Sequence, residues 1–282
     1  VELTLDHTGP MARSAADCAL LLEAIAGPDG LDPRQSGGPQ AQAYTKALTG
    51  DINGLRVGLV EEGFGITGQS EKDVDEAVTH AAYSYEALGA KVEKVSIPWH
   101  TDASHIFNGI IVEGMTVLMV VGNSMGTNWK GHYNLGLLDT FAQNRRARAN
   151  DLSDTTKRAV MLGQYMQDRY HGRYYAKAQN LARVLKAAYD DAFRQFDLLV
   201  MPTLPFKATR IPAPDASREE SVTRALEMNT NTAPFNVTGH PAMTVPCAIS
   251  EGLPVGMMLI GRTGEDATVL RAADAFQQSI AI

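Results

Sequence analysis

The chain has 282 residues, 44% of them apolar, and a formal net charge of -7. That length can bury a sizeable core, as one large α/β domain or two small ones. The negative balance excludes a nucleic-acid binder, which needs clustered Lys and Arg; the longest basic cluster, Arg145-Arg146-Ala147-Arg148, reads as a solvated helix face.

Ser14, followed by Asp17 and apolar residues at Cys18, Leu21, Leu22 and Ile25, has an N-cap and helical periodicity. Gly27-Pro28-Asp29-Gly30 stops it, so a helix is expected over 14–26. From there to Gly54 the Gly, Pro, Gln and Asp content favours surface loop. Leu55 to Val60 is a short apolar run ended by Gly63 and Gly65, Asp73 to Leu88 has helical spacing, and Lys91 to Ile97 alternates like a strand before Pro98. Strand, helix, strand is the α/β signature. From Asp102 to Gly172, long helical segments are broken by Gly122-Asn123-Ser124-Met125-Gly126 and Gly131-His132-Tyr133-Asn134, and this region is expected to cap a cleft.

A helix near 173–195 leads into Asp197 to Pro202, an apolar run that suits a strand buried on both faces. Thr203 to Ser217 is irregular because of its prolines. A short helix near 219–230 follows. Strands over Ala242 to Ile249 and Val255 to Ile260 are joined by the turn Ser250-Glu251-Gly252-Leu253, and a last helix begins near Asp266. The pattern as a whole predicts an α/β fold with a mixed central sheet flanked by helices.

The longest apolar stretch, Ile110 to Gly122, is interrupted by Glu113 and falls short of the roughly 20 residues of a membrane span, so no membrane segment is expected. Cys18 and Cys247 have neither metal spacing nor a disulfide framework, which makes them small core residues and points to a reducing, cytoplasmic compartment. The opening Val1-Glu2-Leu3-Thr4-Leu5-Asp6 is neither a basic nor an apolar targeting region and reads as a chain entered partway.

For chemistry, Gly122-Asn123-Ser124-Met125-Gly126 fits the G-x-S-x-G nucleophile elbow after the apolar run Val117 to Val121, with Asp197 or Asp215 and His240 as arbitrary partners. An elbow needs a helix directly after the serine, and Thr127-Asn128-Trp129-Lys130-Gly131 is a poor helix start, so a turn between helices is the favoured reading. The seven histidines show no metal-binding spacing. No phosphate cradle occurs, since Gly63-Phe64-Gly65 is not followed by a helix where one is required. No cofactor is expected. Asn236-Val237-Thr238 matches a glycosylation sequon but reads as a polar turn.

Leu5-Asp6-His7-Thr8-Gly9-Pro10-Met11-Ala12-Arg13-Ser14-Ala15-Ala16-Asp17 resembles the segment of amidase-signature enzymes that leaves the catalytic loops and starts a core helix. Asp197 to Pro202, and Thr232-Ala233-Pro234-Phe235-Asn236-Val237-Thr238-Gly239-His240-Pro241-Ala242 continuing to Gly261, are similar to later stretches of that family. Ile106-Phe107-Asn108-Gly109 and Trp129-Lys130-Gly131 look most like bacterial amidases acting on small aliphatic and aromatic amides.

The resemblance implies that residues 1–282 are the C-terminal portion of a single amidase domain, with 100–195 a mainly helical substrate-specificity region. The implied activity is hydrolysis of a carboxylic amide to acid and ammonia. The implied partner is a small-molecule amide, with no nucleic acid and no membrane, and with room for a homodimer. The alternatives are a non-catalytic binding module, a hydrolase using Ser124, and an amidotransferase A-type protein that carries out transamidation with partner subunits.

In the family a serine is activated through a second serine by a lysine, and all three precede the Leu5-Asp6-His7 segment. Ser36-Gly37-Gly38-Pro39 lacks serines after its glycines, and no lysine here carries over, so the chain alone is expected to be inactive with no catalytic residue of its own. Its share of the site would be a pocket wall, for which Leu5, Phe107, Trp129 and Met228 are the candidates. His240 is expected to be structural, at a strand entry without an acidic partner in sequence reach. Asp6 and Arg13 are expected to form a helix-entry ion pair or cap. Exposed apolar surface is expected where the rest of the domain would pack.

Overall fold

The computed structural model describes residues 1–35 and 42–280, so Ser36-Gly37-Gly38-Pro39 lies outside the described residues. Ser14 caps α1 (Ala15–Ile25), its side-chain oxygen accepting from the Asp17 N–H at 3.1 Å. A short helix α2 (Tyr44–Ala47) interrupts the stretch expected to be loop, because Tyr44 buries its ring against Cys18, Ala19 and Leu270. Strand β1 (Arg56–Val60), helix α3 (Lys72–Ser84) and strand β2 (Lys91–Val95) form the βαβ unit, with β1 and β2 parallel.

Helix α4 (Ala103–Met115) runs on as a π-helical turn over Thr116–Val121. It is followed by α5 (Leu135–Ala147), α6 (Asp154–Tyr170) and α7 (Arg173–Ala192). Strand β3 (Leu198–Pro202) comes next, then α8 (Arg218–Leu226) and α9 (Ala233–Thr238). The hairpin of β4 (Ala242–Ser250) and β5 (Leu253–Ile260) and the last helix α10 (Asp266–Ser279) complete the fold. The hairpin turn has φ of 51° at Glu251 and 80° at Gly252, the two left-handed residues that a tight turn matching the strand twist requires.

The sheet order is β2-β1-β3-β5-β4, with β1 parallel to β2 and β3, and β5 antiparallel to β3 and β4. β3 lies at the centre and all five of its residues are buried, as a run apolar on both faces demands. Strand alternation sorts the core into two layers. Val57, Leu59, Leu198, Val200, Met257 and Leu259 join Val74, Val78 and Tyr85 of α3 and Phe276 of α10. Val60, Leu199, Met201, Met258 and Ile260 join Ile106 and Ile110 of α4, Leu185 and Tyr189 of α7, and Phe235 of α9. Each large apolar side chain contributes about 1.5–3 kcal/mol on full burial. Helices α4 and α7 approach closely where a Cβ on Gly109 would lie 2.9 Å from the Cβ of Ala178.

Two sequence expectations are corrected. The helical run Pro98–Val121 has 24 residues, and its most apolar 18-residue window has a mean hydropathy of 1.6, long and apolar enough to cross a membrane by length and composition. Its buried polar groups are nonetheless satisfied by the protein: Glu113 accepts from Gln167 Nε2 at 2.6 Å and from the Tyr175 N–H at 3.1 Å, and Thr116 Oγ1 donates to the Val112 carbonyl at 2.9 Å. These bonds and the apolar contacts of Ile106 and Ile110 are those of a helix packed within this fold. The second correction concerns Asn236-Val237-Thr238, expected as a turn, which lies in α9. Pro234 stands in the first turn of that helix and Gly239 ends it at φ 72°, the proline-first, glycine-last pattern of a short helix.

Candidate functional site

In open α/β sheets, the carboxyl ends of parallel strands are where ligand sites assemble. At that end of β1 and β3 the fully buried Asn231 donates from Nδ2 to the Gly63 carbonyl at 3.0 Å and to the Pro202 carbonyl at 2.8 Å. Its Oδ1 accepts from His100 Nε2 at 3.0 Å, which leaves His100 Nδ1 to accept from the Tyr189 hydroxyl at 2.7 Å. One donor and one acceptor is the complement of a neutral imidazole, so the neighbours fix the tautomer. Burial pushes the His100 pKa down and the Tyr189 pKa up, keeping both uncharged. Leaving any one of these groups unpaired would cost about 1–3 kcal/mol. The strut holds the chain just after the turn Glu227–Asn229, on which Met228 is 45% exposed.

The N-terminal segment lies against α4, α7 and α9. Leu5 is 4% exposed and packs in the core layer of those helices, and Phe107 packs half-buried against the same layer. Glu2 fastens the segment from below: its buried carboxylate accepts from the Thr4 N–H at 3.0 Å, from Thr4 Oγ1 at 2.7 Å and from the Tyr175 hydroxyl at 3.3 Å. Asp6 accepts from the Glu2 N–H at 3.1 Å and so closes its own turn. The expected Asp6–Arg13 pair does not form, because Arg13 is exposed to solvent and α1 is capped by Ser14.

Arg34, which carried no signal in the sequence, holds the segment from outside. Its Nη1 donates to the Leu3 carbonyl at 2.9 Å and to the Asp6 carbonyl at 3.0 Å, while Nε and Nη2 hold Asp32. Its guanidinium carbon stands 5.8 Å from the Trp129 ring centroid, a cation–π distance. The structure therefore brings Leu5 and Phe107 together and ties Trp129 to the same segment through Arg34. Met228 stands apart from them on its own exposed turn.

The constellations read as alternatives fall away on geometry. Asn123 and Ser124 have φ of 50° and 76°, uncommon for residues with a Cβ. The apolar run before them is π-helical and no helix follows over 127–134, so the strand–turn–helix of a nucleophile elbow is absent. The Ser124 N–H bonds back to the Met119 carbonyl at 2.9 Å, which makes the segment a helix ending.

His240 has an acidic partner supplied from 50 positions away in sequence: Nε2 lies 3.1 Å from Asp190 Oδ1 on α7, and Nδ1 lies 2.8 Å from Thr238 Oγ1. Thr238 and His240 are each 4% exposed, so the imidazole is closed to substrate and structural, while Asp190 at the outer end of the chain is half-exposed and also held by Lys186. Burial lowers the His240 pKa to about 4. Asp197 is bound by Arg56 and Arg262, and Asp215 is exposed.

A serine–lysine mechanism needs a lysine that gives up its proton near neutrality. Lys207 is well enclosed, with a side chain 10% exposed, but it is bound to Asp73 and lies 2.7 Å from Glu71 Oε2. These carboxylates raise its pKa, the wrong direction for a base. Among the described residues, no group of three or more His, Cys, Asp or Glu side chains is placed to hold a metal ion.

Residues 1–270 match the protein family described as Amidase. An enantioselective amidase of Rhodococcus rhodochrous is 43% identical over 281 residues, covering 99% of this chain and 54% of that protein. The A-type subunit of the glutamyl-tRNA(Gln) amidotransferase of Geotalea daltonii is 35% identical over 284 residues, covering 98% of this chain and 55% of that protein. The solved structure of a bacterial aryl acylamidase superposes with a TM-score of 0.73 at 22% identity, covering 96% of this chain and 52% of that one, a likeness of fold. The chain thus spans about half the length of these relatives.

Proposed function

This chain belongs to the amidase family, and on that premise we propose that it serves the hydrolysis of a carboxylic amide to its acid and ammonia as the C-terminal portion of one amidase domain. The observation that carries this reading is the 43% identity to an amidase along 99% of the chain, which covers only 54% of that relative. The serine pair and the lysine base come, in this reading, from sequence outside the chain. There the lysine takes the proton, the bridging serine relays it to the leaving amine, and backbone amides hold the oxyanion. The locked charge of Lys207 supports this division, since the enclosed lysine of this chain is unfit as a base.

The chain's own contribution is a wall and a cap. Leu5 supports the wall from beneath, Phe107 and Trp129 line it for an apolar acyl group, and Met228 offers a further apolar side chain from its own exposed turn. Residues 100–195 form the substrate-specificity region. Met11, 95% exposed, and Leu20, Leu21 and Ile25 of α1 are apolar and open to solvent, and the remainder of the amidase domain covers them.

A second reading, an amidotransferase A-type protein, rests on the 35% identity noted above. The amidase reading is favoured by the higher identity and by the net charge of -7, an overall balance that opposes association with a tRNA. A fluorophosphonate probe tests the assignment. Label on a serine of a supplied N-terminal amidase portion, with this chain unlabelled, is the expected result, and label on Ser124 would overturn it.

A further inference from the structure

The sheet has two outer strands, β2 and β4. An outer strand presents a row of backbone N–H and C=O groups that another extended chain can pair in register, and proteins that keep such an edge free commonly mark it with charge. β2 is marked in that way by Lys91, Glu93 and Lys94. β4 is not: its nine residues, Ala242–Ser250, include no charged side chain, and among the described residues it pairs with β5 alone.

The sheet face beside that edge is open as well. Ala242, Thr244 and Pro246 alternate along one face of β4 and all three are exposed, whereas Ile260 and Met258, opposite the first two on β5, are buried in the layer of α4, α7 and α9. The other face of β4 sends Val245 into the first core layer. Helix α1 flanks the same strand, since Met243 packs against the cluster of Cys18 and Ala19, and Leu20, Leu21 and Ile25 of that helix remain exposed.

We infer that the free edge of β4 is an interface that takes a β-strand from the part of the amidase domain outside this chain, extending the sheet beyond five strands. The inference rests on the amidase reading above. Backbone groups along a strand edge are matched by an extended segment and not by a helix, which fixes the kind of partner. The amidase relative, of which this chain covers 54%, has the further length to supply such a segment. A second copy fits less well: a two-fold pairing centred on β4 would set Pro246, its middle residue, against its own copy, and neither has an N–H to give. The apolar residues open on α1 lie beside the added strand, so one partner covers both.

Hydrogen–deuterium exchange of this chain, alone and with a supplied N-terminal portion of a related amidase, reads the edge directly, with ammonia release followed in the same samples. Amides within 242–250 that β5 leaves unpaired are expected to exchange at least about tenfold more slowly in the mixture, and those of Lys91–Val95 to be unchanged. Thr244→Lys, which marks the edge with charge, is expected to weaken the association about tenfold. Unchanged exchange within 242–250 on mixing overturns the interface, whether or not ammonia is released, as does undiminished association of a folded Thr244→Lys protein. Slowed exchange without ammonia release supports the interface and counts against the hydrolytic reading instead. Concentration-dependent protection of β4 in the chain alone would make a second copy the occupant and overturn the assignment.

Discussion

The carboxylate of Glu113 on α4 accepts the backbone N–H of Tyr175, in the first turn of α7, at 3.1 Å, so one helix supplies the N-terminal cap of another. α7 has no cap of its own: Gly172 precedes it and its first turn holds no acidic residue. Glu113 is 1% exposed and also takes Gln167 Nε2 at 2.6 Å, so its negative charge sits where the helix dipole favours an anion. Glu113→Leu, which leaves both donors unpaired, is expected to cost about 2 kcal/mol. Glu113→Gln, which keeps an acceptor, should cost less. Urea unfolding midpoints of the two variants check this ordering.

His240 makes stability depend on pH. Burial is the larger cause of its low pKa, the Lys186 ammonium adds to it, and the Asp190 carboxylate opposes them, leaving a value of about 4 against 6.5 when unfolded. The folded state therefore refuses a proton that the unfolded chain accepts. The stabilisation is fully present above pH 6.5 and is lost progressively as pH falls toward 4, by about 3 kcal/mol at most. Buried His100, whose pKa is also lowered, acts in the same direction. A flatter stability profile between pH 6.5 and 4 in His240→Gln than in the unsubstituted chain is the expected outcome of denaturant titrations across that range.

Arg34 holds the Leu3 and Asp6 carbonyls with one nitrogen while stacking on Trp129. A lysine cannot reproduce that fork. Arg34→Lys is expected to cost about 1 kcal/mol. It should also open the N-terminal segment, read as faster proteolysis between residues 3 and 10 and as altered Trp129 fluorescence. Unchanged cleavage would show that Glu2, the Gln179–Thr4 bond and the burial of Leu5 hold the segment without Arg34.

Elements with a local signature were legible in the sequence. The Ser14 cap, the β1–α3–β2 unit and the Glu251-Gly252 hairpin each carry their periodicity or turn residues within a few positions. The apolar run Val117 to Val121, expected within a long helical segment, continues α4 as a π-helical turn, with Thr116 and Glu113 bonded to α6 and α7. Helix α9 had its signal in Pro234 and Gly239, but six residues show too little periodicity to stand out.

What joins the candidate site was not legible. His240 and Asp190 are 50 positions apart, Asn231 and His100 are 131 apart, and Glu2 and Tyr175 are 173 apart. Only the sheet and its crossovers bring such pairs together. Arg34 carried no local signal either, because a single arginine in a loop is ordinarily solvent-exposed.

The central claim is that this chain supplies a wall and not the bond-breaking groups. Ammonia release from propionamide and benzamide, by the purified chain alone and with a separately supplied N-terminal portion of a related amidase, tests it most directly. The account predicts no ammonia above background from the chain alone and measurable release on complementation. Release by the chain alone would contradict it and make Ser124 the first residue to replace.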